Sequence, residues 1–300
     1  MLKKGKKLMA LATLLMMTLF AVGCGGGATD TNGDDPGTAS KGTVRLLFVE
    51  WACARAETYV MADILENIMG YDVEVTSVAA GAMYEGLANG EGDAIFTAWL
   101  PVTHGEYVKQ VGDRIEDLGP NNDNARIGLV VPAYVEIDSI EDLNANKDKF
   151  KGEIIGIDPG AGIMACSLDA LDKYGLDFEL MEGTDATMVA SLKQAIDNNE
   201  WVVVTGWTPH WKFARWDLKF LEDPKLVYGE TETINTMVRS GLKEDMPEVY
   251  ELCDNFHWDS ADIGSAMALM EEMDSEAAAR QWVEENQELV NSWLPEAYKN

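Results

Sequence analysis

The chain has 300 residues, with 23 basic and 52 acidic side chains and a formal net charge of −29 at pH 7. A charge of this sign repels phosphate backbones, so it argues against nucleic-acid binding and is most simply explained by solubility. The length is sufficient for one large domain or two small lobes.

The N-terminus has the pattern of a secreted, lipid-anchored protein. Four lysines within residues 1–7 precede an apolar run over 8–22 that is too short to span a bilayer, which predicts a signal peptide over residues 1–23. The alternative is a buried N-terminal helix. Cys24 follows Ala-Val-Gly, which resembles a lipoprotein cleavage box, and residues 24–42 are rich in Gly, Thr and Asp, which predicts a flexible tether. We therefore expect a protein held by Cys24 at the extracytoplasmic face of the cell membrane.

Strands and helices alternate along the rest of the chain, which predicts an α/β fold with parallel sheets. The first unit has strands over 43–49, 73–78 and 93–98, with helices over 54–69 and 83–87. The second has strands over 152–157 and 201–205, with helices over 163–174 and 186–198. Extended segments over 127–132 and 233–238 connect the units, and helices over 242–294 follow.

Two such units joined by two crossing segments form a hinged pair of lobes with a cleft between them. The predicted first lobe comprises residues 43–131 plus 235–300, and the predicted second lobe comprises residues 132–234. Ligands bind outside the carboxyl ends of strands in open parallel sheets. The residues that follow each predicted strand are therefore the candidate site residues.

Three of the predicted strands are followed by tryptophan, namely Trp51, Trp99 and Trp207. A fourth strand is followed by a glycine-rich turn that opens a helix at Gly162 and Ile163. Tryptophan more often packs in a core, and packing is the interpretation for five of the others, namely Trp201, Trp216, Trp258, Trp282 and Trp293. The glycine turn alone could be a tight connection.

Several indole faces together with a helix N-terminus indicate a particular ligand chemistry. A trimethylammonium group has no N–H to donate, and aromatic faces bind it through the ring quadrupole and methyl contacts. A carboxylate needs donors, which the free backbone N–H groups at the start of a helix provide, and a histidine such as His104 could add another. The alternative for His104 or His210 is a structural hydrogen bond. The pattern favours a zwitterion with a methylated ammonium head.

The sequence predicts neither a metal site nor a cofactor. Cys53, Cys166 and Cys253 form no Cys-x-x-Cys pair, and the three histidines are far apart. Whether two of these cysteines pair is left open.

At the strand ends the chain resembles the glycine betaine-binding proteins of osmoprotective ABC importers, through the segments AWLPVTH, IGIDPGAGIM and TGWTPHWKF. The resemblance implies a two-lobed, type II periplasmic-binding-protein-like fold, no enzymatic activity, a monomer, and an ABC permease and ATPase as partners. It implies an ammonium cage of Trp51, Trp99 and Trp207, with carboxylate contacts from the His104 side chain and the Gly162 and Ile163 backbone. His210 and Trp211 are close enough in sequence to Trp207 that we expect them to support the cage residues.

Arg55 departs from the family pattern, and we expect it to face away from a cation site. Choline or carnitine is the alternative ligand within the same class. A secreted hydrolase that uses His104 or His210 is a weaker alternative, because the sequence has no Gly-x-Ser-x-Gly or His-Glu-x-x-His motif. A sensory or scaffold module without transport would fit the anchor equally well.

Overall fold

The computed structural model describes residues 41–299. The predicted signal peptide, Cys24 and all but the last two residues of the predicted tether lie outside those residues. Over the described range, none of the helices combines the length and the apolar character needed to cross a membrane.

The secondary structure alternates between strands and helices until a final run of helices. The described strands are β1 (Thr43–Phe48), β2 (Asp72–Ser77), β3 (Ala94–Leu100), β4 (Ile115–Pro132), β5 (Glu153–Ile155), β6 (Glu179–Met181), β7 (Val204–Thr208), β8 (Leu218–Phe220) and β9 (Glu232–Arg239). The described α-helices are α1 (Ala52–Asp63), α2 (Ala80–Ala88), α3 (Gly105–Val111), α4 (Gly162–Tyr174), α5 (Asp185–Asp197), α6 (Lys212–Arg215), α7 (Leu242–Asp245), α8 (Pro247–Asn255), α9 (Ser260–Met270), α10 (Ser275–Glu285) and α11 (Gln287–Trp293).

The strands form two sheets that share β4. The first sheet has the order β2, β1, β3, β9, β4, in which β1 is parallel to β2 and β3, and β9 is antiparallel to β3 and β4. The second sheet pairs β4 antiparallel with β7 and β8, and β5 is parallel to both β7 and β6. We call the structure built around each sheet the first lobe and the second lobe.

The long strand β4 and the strand β9 connect the two lobes. Up to Ala125, β4 pairs with β9 in the first sheet, and from Arg126 it pairs with β7 and then β8 in the second. Ala125 pairs with Glu232 at the start of β9, so the chain leaves and re-enters the first sheet at neighbouring points. These are the two crossing segments predicted from the sequence. The residue limits proposed for each lobe stay a prediction.

Two strands end later than the sequence predicts, and β7 also begins later, at Val204 instead of Trp201. Strand β3 continues through Trp99 because Trp99 pairs with Ile234 of β9, and β7 runs to Thr208 because it pairs with β4 through Gly206. Glycine weakens a strand, so a reading of the local sequence ends β7 too early. The neighbouring strand requires glycine here, because a Cβ at Gly206 would lie 2.5 Å from Val130 Cγ2.

The C-terminal helices complete the first lobe. Helices α9 and α10 pack against α1, as predicted for a C-terminal run that returns to the first lobe. Four aromatic side chains in this region form what we call the aromatic packing cluster: Phe256, Trp258, Trp282 and Trp293. The Trp258 ring lies edge-on to the Trp282 ring at 5.5 Å, and the Trp282 and Trp293 rings stack at 6.1 Å. The indole rings of this cluster therefore pack against one another.

Candidate functional site

One cavity is lined by residues of both lobes. Every residue that the sequence assigns to direct ligand contact lines it: Trp51, Trp99, His104, Gly162, Ile163 and Trp207. The two residues assigned to support, His210 and Trp211, do not line it and lie behind Trp207.

Trp51 precedes α1, and its indole is held from two sides. Its ring stacks on the His104 imidazole with a centroid distance of 5.6 Å and an interplanar angle of 27°. Its indole Nε1–H donates a hydrogen bond of 2.9 Å to Oδ2 of Asp158, which lies in the second lobe. These two contacts fix the plane of the indole at the cavity wall.

Trp99 and Trp207 lie at the ends of β3 and β7, one in each lobe. Nζ of Lys212 lies 4.0 Å from the Trp207 ring centroid. In the described part of the chain, the three cavity tryptophans make no ring contacts with one another. Indole surface is therefore left facing the cavity.

His104 presents a neutral donor to the cavity. The backbone N–H of Trp99 donates to Nδ1 at 3.1 Å, so the proton of the neutral ring is on Nε2. This Nε2 is buried and has no hydrogen-bond partner among the described residues. Burial lowers the pKa of His104 to about 3, so the ring is uncharged at pH 7.

The start of α4 provides the second set of donors. Ala161 is the N-cap, and Gly162 and Ile163 are the first two helical residues, whose N–H groups have no partner within the helix. A Cβ at Gly162 would lie 1.9 Å from the carbonyl oxygen of Thr103 in the first lobe. Only glycine allows α4 and the first lobe to approach so closely.

Behind Trp207, a buried histidine and carboxylate form a hydrogen-bonded pair. The backbone N–H of Lys212 donates to Nδ1 of His210, so Nε2 carries the proton and donates to Asp185 at 3.1 Å. Burial, with a contribution from the Lys212 cation, lowers the pKa of His210 to about 4. The His210 ring meets the Trp207 indole edge-on at 5.0 Å. His210 therefore supports Trp207 and does not face the ligand cavity.

Asp185 and Lys212 give this region its charge. Burial alone would raise the pKa of Asp185, but hydrogen bonds from His210 and the Ala52 amide, with the nearby Lys212 cation, hold it below its ordinary value. Burial lowers the pKa of Lys212 to about 8. The two buried side chains carry opposite charges that partly compensate each other.

Five further cavity residues were not singled out from the sequence: Cys53, Thr103, Ile127, Ile157 and Ala161. Ile157, Ala161 and Thr103 stand beside motif residues, and proximity in sequence is the only signal for them. Cys53, Cys166 and Cys253 are buried and unpaired in the described structure. As expected, Arg55 does not line this cavity, and it pairs with Glu271 at 3.7 Å.

This combination of groups suits a ligand that is cationic and methylated at one end and anionic at the other. Indole surface lines the cavity, and the donors are one imidazole N–H and the N-terminus of α4. Over residues 41–299, no group of three or more His, Cys, Asp or Glu side chains is arranged to hold a metal ion.

Comparisons with known proteins agree with this geometry. A family model described as the substrate binding domain of ABC-type glycine betaine transport system matches residues 42–285. The glycine betaine/carnitine transport binding protein GbuC of Listeria monocytogenes is 45% identical over 144 residues, which cover 47% of this chain and 48% of the Listeria protein. The match therefore spans about half the length of that relative.

Two solved structures are similar over nearly their whole length. Lactococcal OpuAC, closed and complexed with glycine betaine, has a TM-score of 0.79 at 36% identity, covering 84% of this chain and 99% of that one. The glycine betaine, L-proline-binding protein ProX of Borrelia burgdorferi has a TM-score of 0.82 at 38% identity, covering 85% and 98%. The predicted two-lobed, periplasmic-binding-protein-like α/β fold is confirmed.

The family that this model describes consists of transporter substrate-binding domains and not of enzymes, which argues against the hydrolase alternative. The match covers most of the described residues, including every residue that lines the cavity. The chain belongs to the family of substrate-binding domains of ABC-type glycine betaine transport systems.

Proposed function

We propose that this protein captures glycine betaine, or a close betaine such as proline betaine, for an ABC importer. The observation that carries the proposal is the cavity itself, because tryptophans from both lobes and an unpartnered imidazole N–H line the same space. Family membership supports the same conclusion.

In this proposal, Trp51, Trp99 and Trp207 form the ammonium cage. A trimethylammonium group spreads its charge over methyl groups, and each desolvated indole face contributes roughly 2 kcal/mol of attraction. Neutral His104 is compatible with a cationic ligand, since a charged imidazolium stacked on Trp51 would repel it. His210 and Trp211 support the cage through contacts with Trp207 and with each other.

The carboxylate of the ligand would accept hydrogen bonds from the backbone N–H groups of Gly162 and Ile163 and from Nε2–H of His104. The charge on the acceptor strengthens each bond, and the dipole of α4 favours an anion at its N-terminus. Two of these donors belong to the second lobe and one to the first. A bound betaine would therefore hold the lobes together.

The proposed setting is the outer face of the cell membrane. Cleavage of a signal peptide over 1–23 would leave Cys24 as a lipidated first residue, and residues 24–42 would tether a monomeric body to the bilayer. The lobes would comprise residues 43–131 plus 235–300 and residues 132–234. Closure would mark the loaded receptor for the ABC permease and ATPase, because the closed form differs in shape from the open one.

Isothermal titration of the purified mature protein tests the proposal. Glycine betaine should bind saturably, and Trp99→Ala should weaken the binding by at least about a hundredfold, the effect of losing one indole face and its packing. Trp201→Ala is a matched control, because Trp201 packs on Phe150 away from the cavity. A flat titration with glycine betaine, proline betaine, carnitine and choline would reject the proposal.

Choline and carnitine are the second candidates, and carnitine is favoured by the name of the Listeria relative. Choline has no carboxylate, so it gains nothing from His104 or α4. If choline is the ligand, His104→Phe should leave its affinity unchanged. If glycine betaine is the ligand, the same substitution should weaken binding by about tenfold, the loss of one charge-assisted hydrogen bond.

A further inference from the structure

We propose that Asp158 and Asp185 are positioning residues of the ligand site: each reaches from the second lobe to hold part of the first lobe that carries Trp51. The inference rests on the proposed function and deepens it. Neither carboxylate lines the cavity, so neither contacts the ligand directly.

The first contact acts on the indole. Asp158 lies in the turn between β5 and α4, and its Oδ2 accepts from Trp51 Nε1–H at 2.9 Å. The other fixed neighbour of the ring, His104, belongs to the same lobe as Trp51. When the lobes separate, Trp51 keeps its contact with the histidine and loses Asp158. The orientation of the indole therefore depends on closure.

The second contact acts on the helix that begins after Trp51. Oδ2 of Asp185 accepts from the backbone N–H of Ala52, the first residue of α1, at 3.0 Å. Trp51 occupies the N-cap position and provides no side-chain cap. Asp185 therefore supplies, from the other lobe, the acceptor and the negative charge that a helix N-terminus favours.

The second lobe holds Asp185 in place before the lobes meet. His210 belongs to the same lobe, and its tautomer is set by the Lys212 backbone N–H, so that Nε2–H points at the carboxylate. Because the acceptor is already oriented, closure orders only the start of α1. Preorganisation of this kind reduces the entropy lost when the contact forms.

Two further contacts show how closely the lobes meet here. The Tyr107 hydroxyl on α3 donates to the carbonyl oxygen of Gly160 at 2.6 Å, and Gly162 packs on Thr103 without room for a Cβ. The two carboxylates are thus part of a tight inter-lobe contact that surrounds Trp51. They would stabilise only the closed form, in which all three tryptophans line one cavity.

Glycine betaine titrations and stopped-flow dissociation of the mature protein test this assignment with Asp158→Ala, Asp185→Ala and Asp185→Asn. Each alanine variant should weaken binding by roughly tenfold, mainly through faster dissociation, as expected for one lost hydrogen bond to a charged group. Asp185→Asn should recover part of the loss. Asp197→Asn, at the other end of α5 in an exposed pair with Lys193, should bind like the wild type. Affinities within twofold of wild type for both alanine variants would overturn the proposal.

A double-mutant cycle isolates the indole contact. Trp51→Phe keeps a ring but removes the N–H. Asp158→Ala should therefore weaken glycine betaine binding about tenfold in the wild-type background and leave it almost unchanged in the Trp51→Phe background. Equal losses in both backgrounds would show that Asp158 acts elsewhere and would overturn its assignment.

A spectroscopic measurement separates this inference from the proposed function. In protein labelled with ¹⁵N-tryptophan and recorded both free and with saturating glycine betaine, the indole signal that disappears in Trp51→Phe should shift in Asp158→Ala when the lobes are closed, while the packing-cluster signals should not move. If the wild type binds no betaine but this signal shifts, the proposed function fails and the contact stands. If the Trp51 signal shifts in neither the free nor the betaine-saturated protein, the contact itself is rejected.

Discussion

Two groups of three tryptophans in this molecule have nearly the same burial and different surroundings. Trp258, Trp282 and Trp293 of the aromatic packing cluster are 1–2% exposed, and Trp51, Trp99 and Trp207 are 3–6% exposed. In the packing cluster, indoles meet one another at 5.5–6.3 Å. In the candidate site, the Trp51 and Trp207 rings contact histidines, and all three tryptophans line the cavity. The two groups therefore differ in what lies against the indole rings and not in how exposed the side chains are.

The largest difference between the two groups should appear when one indole in each is truncated. Trp282→Ala should lower the free energy of unfolding by about 3–5 kcal/mol, because the packed side chains around it cannot move far enough to fill the space that the ring leaves. Trp207→Ala opens onto an existing cavity, so it should cost less in stability but should weaken glycine betaine binding by at least about a hundredfold.

Urea denaturation of both variants measures the free energy of unfolding, and isothermal titration measures the affinity for glycine betaine. The comparison fails if Trp207→Ala destabilises the fold as much as Trp282→Ala, or if the Trp282→Ala protein, once folded, loses betaine binding to the same degree.

A second test acts on the site alone. Gly162→Ala places a Cβ 1.9 Å from the Thr103 carbonyl oxygen, so the lobes could close only by displacing backbone. We expect an affinity for glycine betaine roughly a hundredfold weaker, about 2.7 kcal/mol, with little change in melting temperature.

Gly160→Ala in the same turn is the matched control, since a Cβ there meets nothing within 4 Å. Small-angle scattering should show that the Gly162→Ala protein stays extended with saturating betaine, whereas the control contracts. Equal contraction of both would contradict the steric account.

A third test uses acid, because titratable side chains lie beside the site and not in the aromatic packing cluster. His104 and His210 are neutral in the fold, with pKa values lowered to about 3 and about 4 by burial. On unfolding, each regains an ordinary pKa near 6.5 and takes up a proton. The contribution of these two histidines to stability should therefore be constant above pH 7 and should be lost as the pH drops, down to about 4 for His210 and about 3 for His104.

Between pH 7.5 and 5.5 the free energy of unfolding should fall by about 1.4 kcal/mol for each histidine. His104→Asn should remove one histidine's share of this slope in urea denaturation, and His257→Asn, at an exposed position, serves as the control. An unchanged slope in the His104→Asn protein would show that its ring is not buried in neutral form.

The sequence predicted which residues line one cavity more accurately than it predicted the limits of the strands that carry them. Trp99 and Trp207 were expected after their strands and lie within them, because pairing with β9 and β4 extends both strands. Their position near the carboxyl ends, and the glycine turn before α4, were visible locally and were sufficient to find the cavity.

The contacts behind the cavity could not be predicted in this way. Asp158 meets Trp51 across 107 positions of sequence, and Asp185 meets Ala52 across 133. Such contacts depend on how the lobes meet, and no local pattern of residues encodes it. The lining side chains Cys53 and Ile127 are small or apolar and look like ordinary core residues in the sequence.

The pairing of Ala125 with Glu232 has a consequence for how the molecule can change. The second lobe begins and ends at adjacent points of the first sheet. It can therefore be exchanged as one unit without changing the chain connections of the first lobe. A graft from a homologue would carry over Trp207 and the start of α4 and leave Trp51, Trp99 and His104 with the host. In chimaeras of this kind, each end of the ligand would meet residues from both parental proteins.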